Sequence, residues 1–199
     1  MSDRETFLAR VRRAQPPAQA RPELPRFALP PAMAGLDART RFSAALEAMG
    51  GQCFELAPQQ PLQDWIVARF GAEAVICSAC DECASTRAFD ARTEPASLAD
   101  VDVGVVRARL GVAETGSVWL GEAEYQVNAL GYLAQHLVVL LDPATLCDGL
   151  QDVYRRGDFR QVRYAALVTG PSATADIEGV MIRGAQGVRS LSVIWRTAA

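Results

Sequence analysis

Chemistry-bearing residues cluster in three short stretches of this chain. Residues 113–117 read Ala-Glu-Thr-Gly-Ser, which sets a carboxylate, Glu114, and the Thr115 hydroxyl beside Gly116, a residue that can supply a positive φ in a tight turn. Glu114 could act as general base or nucleophile if burial raised its pKa, and it equally suits an exposed polar turn. Residues 170–178 read Gly-Pro-Ser-Ala-Thr-Ala-Asp-Ile-Glu after an apolar strand. A strand-to-helix turn there would aim backbone N–H groups at a ligand at the end of an open α/β sheet, with Gly170, Ser172 and Thr174 binding and Asp176 and Glu178 supplying carboxylates. The same residues also fit a structural role, with Ser172 or Thr174 capping the turn and Asp176 and Glu178 complementing the helix dipole.

The third stretch is Cys77-Ser78-Ala79-Cys80-Asp81-Glu82-Cys83. Its C-x-x-C-x-x-C spacing lets three thiolates converge from one loop, as in part of an iron–sulfur run or a zinc site, with Cys147 or Cys53 as fourth ligand. Asp81 and Glu82 would disfavour an anionic cluster, and a cysteine ending a buried strand also serves as a small apolar residue. Redox sensing by the same thiols is a further reading. Five cysteines make an odd count, and residues 1–13 lack an apolar signal core, so a disulfide framework is not expected. His136, the only histidine, opens an apolar strand, which suits a hydrogen-bonded structural residue.

Alternating elements must position these groups. Residues 1–13 suit a short amphipathic helix, and Pro16, Pro17, Pro22, Pro25, Pro30 and Pro31 make residues 15–31 an extended tether that frees the helix to pack on a partner. Residues 37–49 place Phe42, Ala45, Leu46 and Met49 at helical spacing before Gly50-Gly51, and residues 53–56 follow as a strand. A helix is predicted over 62–70 and buried-type strands over 74–77 and 136–141, the kind found in parallel sheets covered on both faces. Residues 103–112 and 118–120 flank the Glu114 turn. Asp142 and Pro143 open a helix predicted over 143–154, and 164–168 would be the third strand of a βαβ unit. A last strand covers 191–195.

Composition restricts the function classes. With 199 residues, 50% hydrophobic and 22% charged, the chain can bury one sizeable core, so a single domain over 32–199 is expected after the 1–31 helix and tether. Twenty basic and 23 acidic residues give a net charge of −3 with no basic block to track a phosphate backbone, which argues against nucleic acid. No apolar run approaches the roughly 18 residues that cross a bilayer, which implies a soluble protein, and with no apolar signal core in residues 1–13 a cytoplasmic one is expected.

The motifs at 113–117, His136-Leu137-Val138-Val139-Leu140 and 169–178 occur in an order that resembles the LUD-domain family, in particular its lactate utilization protein C branch, over roughly residues 36–195. The resemblance implies an α/β fold similar to the NagB/RpiA/CoA-transferase group, a mostly parallel sheet with helices on both faces. It also implies a part in oxidising L-lactate to pyruvate beside partner subunits that carry the iron–sulfur clusters. On that reading Glu114, Asp176 and Glu178 line a cleft at the carboxyl ends of the strands, with Thr115, Gly116, Gly170, Ser172 and Thr174 binding a small carboxylate. Where the family commonly has Gly-Val-His-Gly-Pro, this chain reads Gly184-Ala185-Gln186-Gly187-Val188-Arg189. Gln186 cannot take a proton at neutral pH, while Arg189 can pair with a carboxylate substrate. Two other readings stand beside this one: a CoA-transferase-like enzyme with Glu114 attacking a small carboxylate or acyl-CoA, and a redox or regulatory subunit working through the cysteine loop.

Overall fold

A computed structural model of the chain describes residues 3–20, 22–25, 27, 28, 31–57, 59–177 and 180–197. Helix α1 (Asp3–Ala14) buries none of its residues, and Phe7 and Val11 stand exposed. The described residues of the proline-rich segment that follows form no helix or strand before a 3-10 turn at Pro31–Met33, in keeping with prolines that lack a backbone donor. Helix α2 (Ala38–Ala48) starts where Asp37 accepts the Thr40 N–H at 2.9 Å, and Phe42 and Leu46, one turn apart on one face, are fully buried.

Strand β1 (Gln52–Phe54), helix α3 (Leu62–Phe70), strands β2 (Ile76–Ser78), β3 (Val103–Arg107), β4 (Leu110–Val112) and β5 (Ser117–Gly121), and helices α4 (Glu122–Tyr125) and α5 (Leu130–Leu133) follow in order. The rest comprises β6 (His136–Leu141), β7 (Leu146–Cys147), α6 (Leu150–Arg156), β8 (Ala165–Val168), β9 (Ala173–Ile177), β10 (Val180–Arg183) and β11 (Ser190–Trp195). Among the described residues the strands form a five-stranded parallel sheet in the order β1-β11-β6-β3-β2, a four-stranded sheet β7-β4-β5-β8 and the hairpin β9-β10. Side-chain alternation along β6 divides the core. Leu137, Val139 and Leu141 meet α2, α4, α5 and one face of the second sheet, whereas Val138 and Leu140 meet α3 on the other side. The far face of the second sheet, Leu110, Val112 and Trp119, is covered by Val153 and Leu150 of α6. The expected fold class is observed: α/β, with a mostly parallel sheet and helices on both faces.

Three local expectations are corrected. The helix predicted over 143–154 is split. Asp142 does cap a turn, accepting the Ala144 N–H at 2.9 Å, but that turn ends at Thr145, β7 joins the β4 edge, and α6 starts only after the extended Gly149. The edge of β4 offered backbone partners that a continuous helix would have left unpaired: Ala113 N–H donates to Cys147 O at 2.8 Å and Glu114 N–H to Asp148 O at 3.0 Å. Strand β8 does not extend a βαβ unit; it pairs antiparallel with β5, Val168 opposite Val118. Finally, the predicted strand-to-helix turn over 170–179 is a strand, β9, whose Thr174 lies opposite Ile182 of β10. Its β-branched residues suit a ladder better than a helix, and among the described residues there no helix N-terminus is present to hold an anion.

The second sheet meets α2 at one close contact. Gly116 sits at φ +64, and a Cβ built on it would lie 2.3 Å from the Leu46 backbone nitrogen. Gly116→Ala is therefore expected to lower stability by about 2–4 kcal/mol in urea denaturation, combining a left-handed backbone penalty with a clash against a helix. A loss below about 0.5 kcal/mol, the range of an ordinary surface change, would show that α2 does not rest on the turn.

Candidate functional site

The turn between β4 and β5 closes because the N–H groups of Thr115 and Gly116 both donate to Val112 O, at 3.3 and 2.9 Å. Behind it runs a chain of hydroxyls: Thr115 Oγ1 bonds Ser117 Oγ at 2.8 Å, and Ser117 Oγ bonds Thr169 Oγ1. Glu114 is exposed, and its Oε2 accepts the Leu150 N–H at 3.0 Å. The burial that a closed-site nucleophile would depend on is missing. The carboxylate is instead held in place beside Gly149, whose absent Cβ would stand 2.9 Å from that same oxygen.

Next to Glu114 lies a cavity of about 360 Å³, bounded by Ala113 and Glu114 of the turn, Arg41 of α2, Asp148 and Gly149 ahead of α6, Phe27 and Ala28 of the tether, and Met33 of the 3-10 turn after it. Arg155 joins the tether to α6, donating to Leu24 O and Pro25 O while pairing with Asp152 at 2.8 Å. Arg41 is the unexpected member. It is only 5% exposed, its Nη2 donates to Asp148 Oδ1 at 2.5 Å, and its Nε and Nη1 are buried without a hydrogen-bond partner. Asp148 itself is largely exposed, with 68% of its side chain accessible, so the pair leaves a desolvated cation only partly compensated. Sequence reasoning passed over Arg41, although one signal was present: it lies one turn before Ala45, on the flank of the apolar stripe of α2.

The other predicted residues stand elsewhere. Gly170, at φ +65, packs beneath the end of α2, where a Cβ would lie 2.5 Å from Met49 O. Ser172 N–H donates to Val188 O at 2.9 Å, Gly184 N–H donates to Ser172 O at 2.7 Å, and Arg189 N–H donates to Gln135 O at 2.7 Å. Ser172 and Arg189 thus meet where β6 and β11 begin, at the amino ends of the central strands. The structure does not join them with Glu114 in one cleft at the carboxyl ends. Thr174 is a ladder residue of β9; the side chain of Asp176 and the whole of Glu178 lie outside the described residues. His136 also stands at an amino end, with Nδ1 2.8 Å from Ser190 Oγ and its ring stacked on Phe70. Burial, and then the neighbouring Arg189, hold its pKa below the ordinary value, so it is a neutral structural residue near pH 7.

The three loop thiols do not converge. Cys77 packs into the core on the face shared with α2, whereas Cys80 and Cys83 pack with α3 on the opposite face, where the Cys83 thiol donates to Gln63 Oε1. Neither suggested fourth ligand is near. Cys53 is on β1 and Cys77 on β2, the two outer strands of the central sheet, which puts four strand spacings, roughly 19 Å, between them. Cys147 belongs to the second sheet. Among the described residues no group of three or more His, Cys, Asp or Glu side chains is placed to hold a metal ion. These thiols do not fit an iron–sulfur cluster or zinc ion held by the loop. Burial pushes Cys80 up to about 11, with Glu82 adding to it, and pushes Cys83 up to about 11, with Cys80 adding to it. Despite its own burial, Glu82 is held below its ordinary value by the Arg107 guanidinium that it bonds.

A parallel five-stranded sheet covered on both faces, with a second sheet bearing a cavity at its edge, defines an α/β protein whose polar site lies off the central strands. Comparison with protein families finds the LUD domain over residues 84–195, more than half of the 199-residue chain; the protein belongs to the LUD-domain family, which is associated with lactate utilisation. The matched segment contains Glu114 and Asp148 and leaves out Arg41 and the cysteine loop. Among solved structures, the chain is similar in fold to the crystal structure of a DUF162 family protein from Deinococcus radiodurans, with a TM-score of 0.59 and 14% identity over 79% of this chain and 95% of that one. No curated protein matches it. Among the described residues no helix is long and apolar enough to cross a membrane.

Thiols raised to about 11 stay protonated at neutral pH, so Cys80 and Cys83 should resist iodoacetamide near pH 7 and react only as the pH climbs toward the raised values. Mass spectrometry of protein labelled across that range reads the outcome. Fast labelling of both at neutral pH, or stoichiometric iron in anaerobically purified protein that disappears in Cys80→Ser, would overturn this account of the loop.

Proposed function

We propose that this protein is the LutC-like subunit of a bacterial lactate utilisation system, in which L-lactate is oxidised to pyruvate together with subunits that carry iron–sulfur clusters. The observation that carries this reading is membership of the LUD-domain family over residues 84–195. The separation of Cys77 from Cys80 and Cys83 supports the division of labour, since a loop that splits its thiols between two faces of a sheet is poorly built to carry electrons itself. The cavity beside Glu114 and Arg41 supports a small ligand: at about 360 Å³ it lies at the lower end of the usual range for ligand pockets, too small for a nucleotide-bearing thioester to be enclosed. Exposed α1, with Phe7 and Val11 uncovered, is a candidate contact for a partner subunit.

Deleting the gene should abolish growth on L-lactate as sole carbon source and leave growth on pyruvate intact, with rescue by the full chain in trans. Undiminished growth of the deletion strain on L-lactate would refute the role.

A further inference from the structure

We propose that helix α1 is an exchanged arm: it docks in the acidic groove between α2 and strand β1 of a second copy of this chain, which returns its own α1 to the first. This goes beyond the lactate-utilisation role, does not rest on it, and names a second copy as the subunit that α1 meets. Helix α1 buries none of its residues, and Phe7 and Val11, one turn apart, form an exposed apolar stripe with Arg4 and Arg10 three residues to either side of Phe7. A helix of this length is marginal in water by itself, so α1 needs a surface to lie on.

Charge selects that surface. Residues 1–31 hold six arginines against three acids, whereas residues 32–199 hold fourteen against twenty, so a basic arm is strung from an acidic body and opposite charges draw the arm of one copy to the body of another. The groove concentrates the contrast. It has an open volume of about 770 Å³ and sets Asp37, Glu47 and Glu55 against Arg39, with Cys53 and Trp195 as an apolar floor for the Phe7 and Val11 stripe. Arg39 pairs with Glu55 at 2.8 Å and Asp37 accepts from Thr40, which leaves Glu47, exposed and in no ion pair among the described residues, to meet an arginine of α1. None of the residues lining the groove belongs to the chain's own α1. The arm is held at α6, where Arg155 donates to Leu24 O and Pro25 O, and the nine residues from Gln15 to Glu23 can carry α1 at most about 30 Å from that point. A reciprocal exchange about a two-fold axis seats both helices on the same surfaces and closes the assembly at two copies.

The test is sedimentation equilibrium of the full chain over a concentration series, joined to photo-crosslinking. A monomer–dimer equilibrium is expected, and it should weaken as salt is raised because the contact is charge-assisted. Val11→Asp should raise the dimer dissociation constant by about tenfold or more through lost apolar burial, and Glu47→Arg should raise it severalfold by reversing the groove's charge. Both positions are exposed, so neither change bears on the core. Arg92→Gln, at an exposed arginine outside the groove, should leave the equilibrium as it is. With benzoylphenylalanine in place of Phe7 and a mixture of light and heavy-nitrogen chains, crosslinks should run from α1 of one chain to α2 or β1 of the other. A monomer at every concentration, crosslinks confined within one chain, or a dimer that Val11→Asp and Glu47→Arg leave intact would overturn the exchange.

Discussion

Helix α2 comes closer to the second sheet than any side chain between them would permit, and the cavity takes its position from that contact. Gly116 meets the Leu46 backbone nitrogen, Gly170 meets Met49 O, and Gly51 lies under the Leu46 side chain. A Cβ at Gly116 would lie 2.3 Å from the helix backbone, one at Gly170 would lie 2.5 Å from the carbonyl of Met49, which caps the helix, and one at Gly51, just past the helix end, would lie 2.5 Å from the Leu46 side chain. These absent side chains let α2 settle between the central sheet and the 113–117 turn with Phe42 and Leu46 fully buried. Once the helix lies there, Arg41, one residue before Phe42, is carried to the rim of the core beside Glu114 and Asp148. Close packing of this kind transmits position well because a dense interior leaves few alternative arrangements.

The second consequence is a division between the two sheets. The central parallel sheet is almost wholly apolar along β3, β6 and β11 and forms the frame, whereas the polar groups that could meet a ligand gather where β7 and α6 join the edge of β4. Two of them, Glu114 and Asp148, fall within the LUD-matched segment; Arg41 and the tether fall outside it. The cavity therefore joins the matched part of the chain to a part outside the match. The tether also has a structural role, since Arg155 anchors two of its carbonyls against α6.

Much of the fold was legible from pattern. Run length and stop signals predict the helix over 62–70 and the strand over 136–141 with their observed bounds, because a helix-length stretch stopped by Gly71 and an unbroken apolar run, Leu137 to Leu141, stopped by Asp142 and Pro143 leave few alternatives. The errors have one cause. Residues 143–154 and 170–177 carry sound local helix signals, Asp142 and Pro143 in one and capping residues in the other, yet each lost to strand pairing, the first with β4, remote in sequence, and the second with β10, the strand directly after it. The cysteine loop misled for a related reason. Spacing of two residues between thiols describes proximity along the chain, but Cys77 ends a strand whose alternation sends it to one face, and the loop after it turns Cys80 and Cys83 to the other.

By itself the sequence determined the fold class, the family resemblance, the helix of α2 with its stop at Gly50-Gly51 and the turn at Gly116, because each depends on local periodicity, on φ preferences or on a motif within a few residues. Tertiary structure alone decided which polar groups meet. Arg41 and Asp148 are far apart along the chain and come together only after two sheets, a helix and the tether have packed. Ser172 and Arg189 are separated from Glu114 by the same packing. A site assembled across such separations leaves no periodic trace, and its members become visible only when burial shows which charged group keeps unpaired donors.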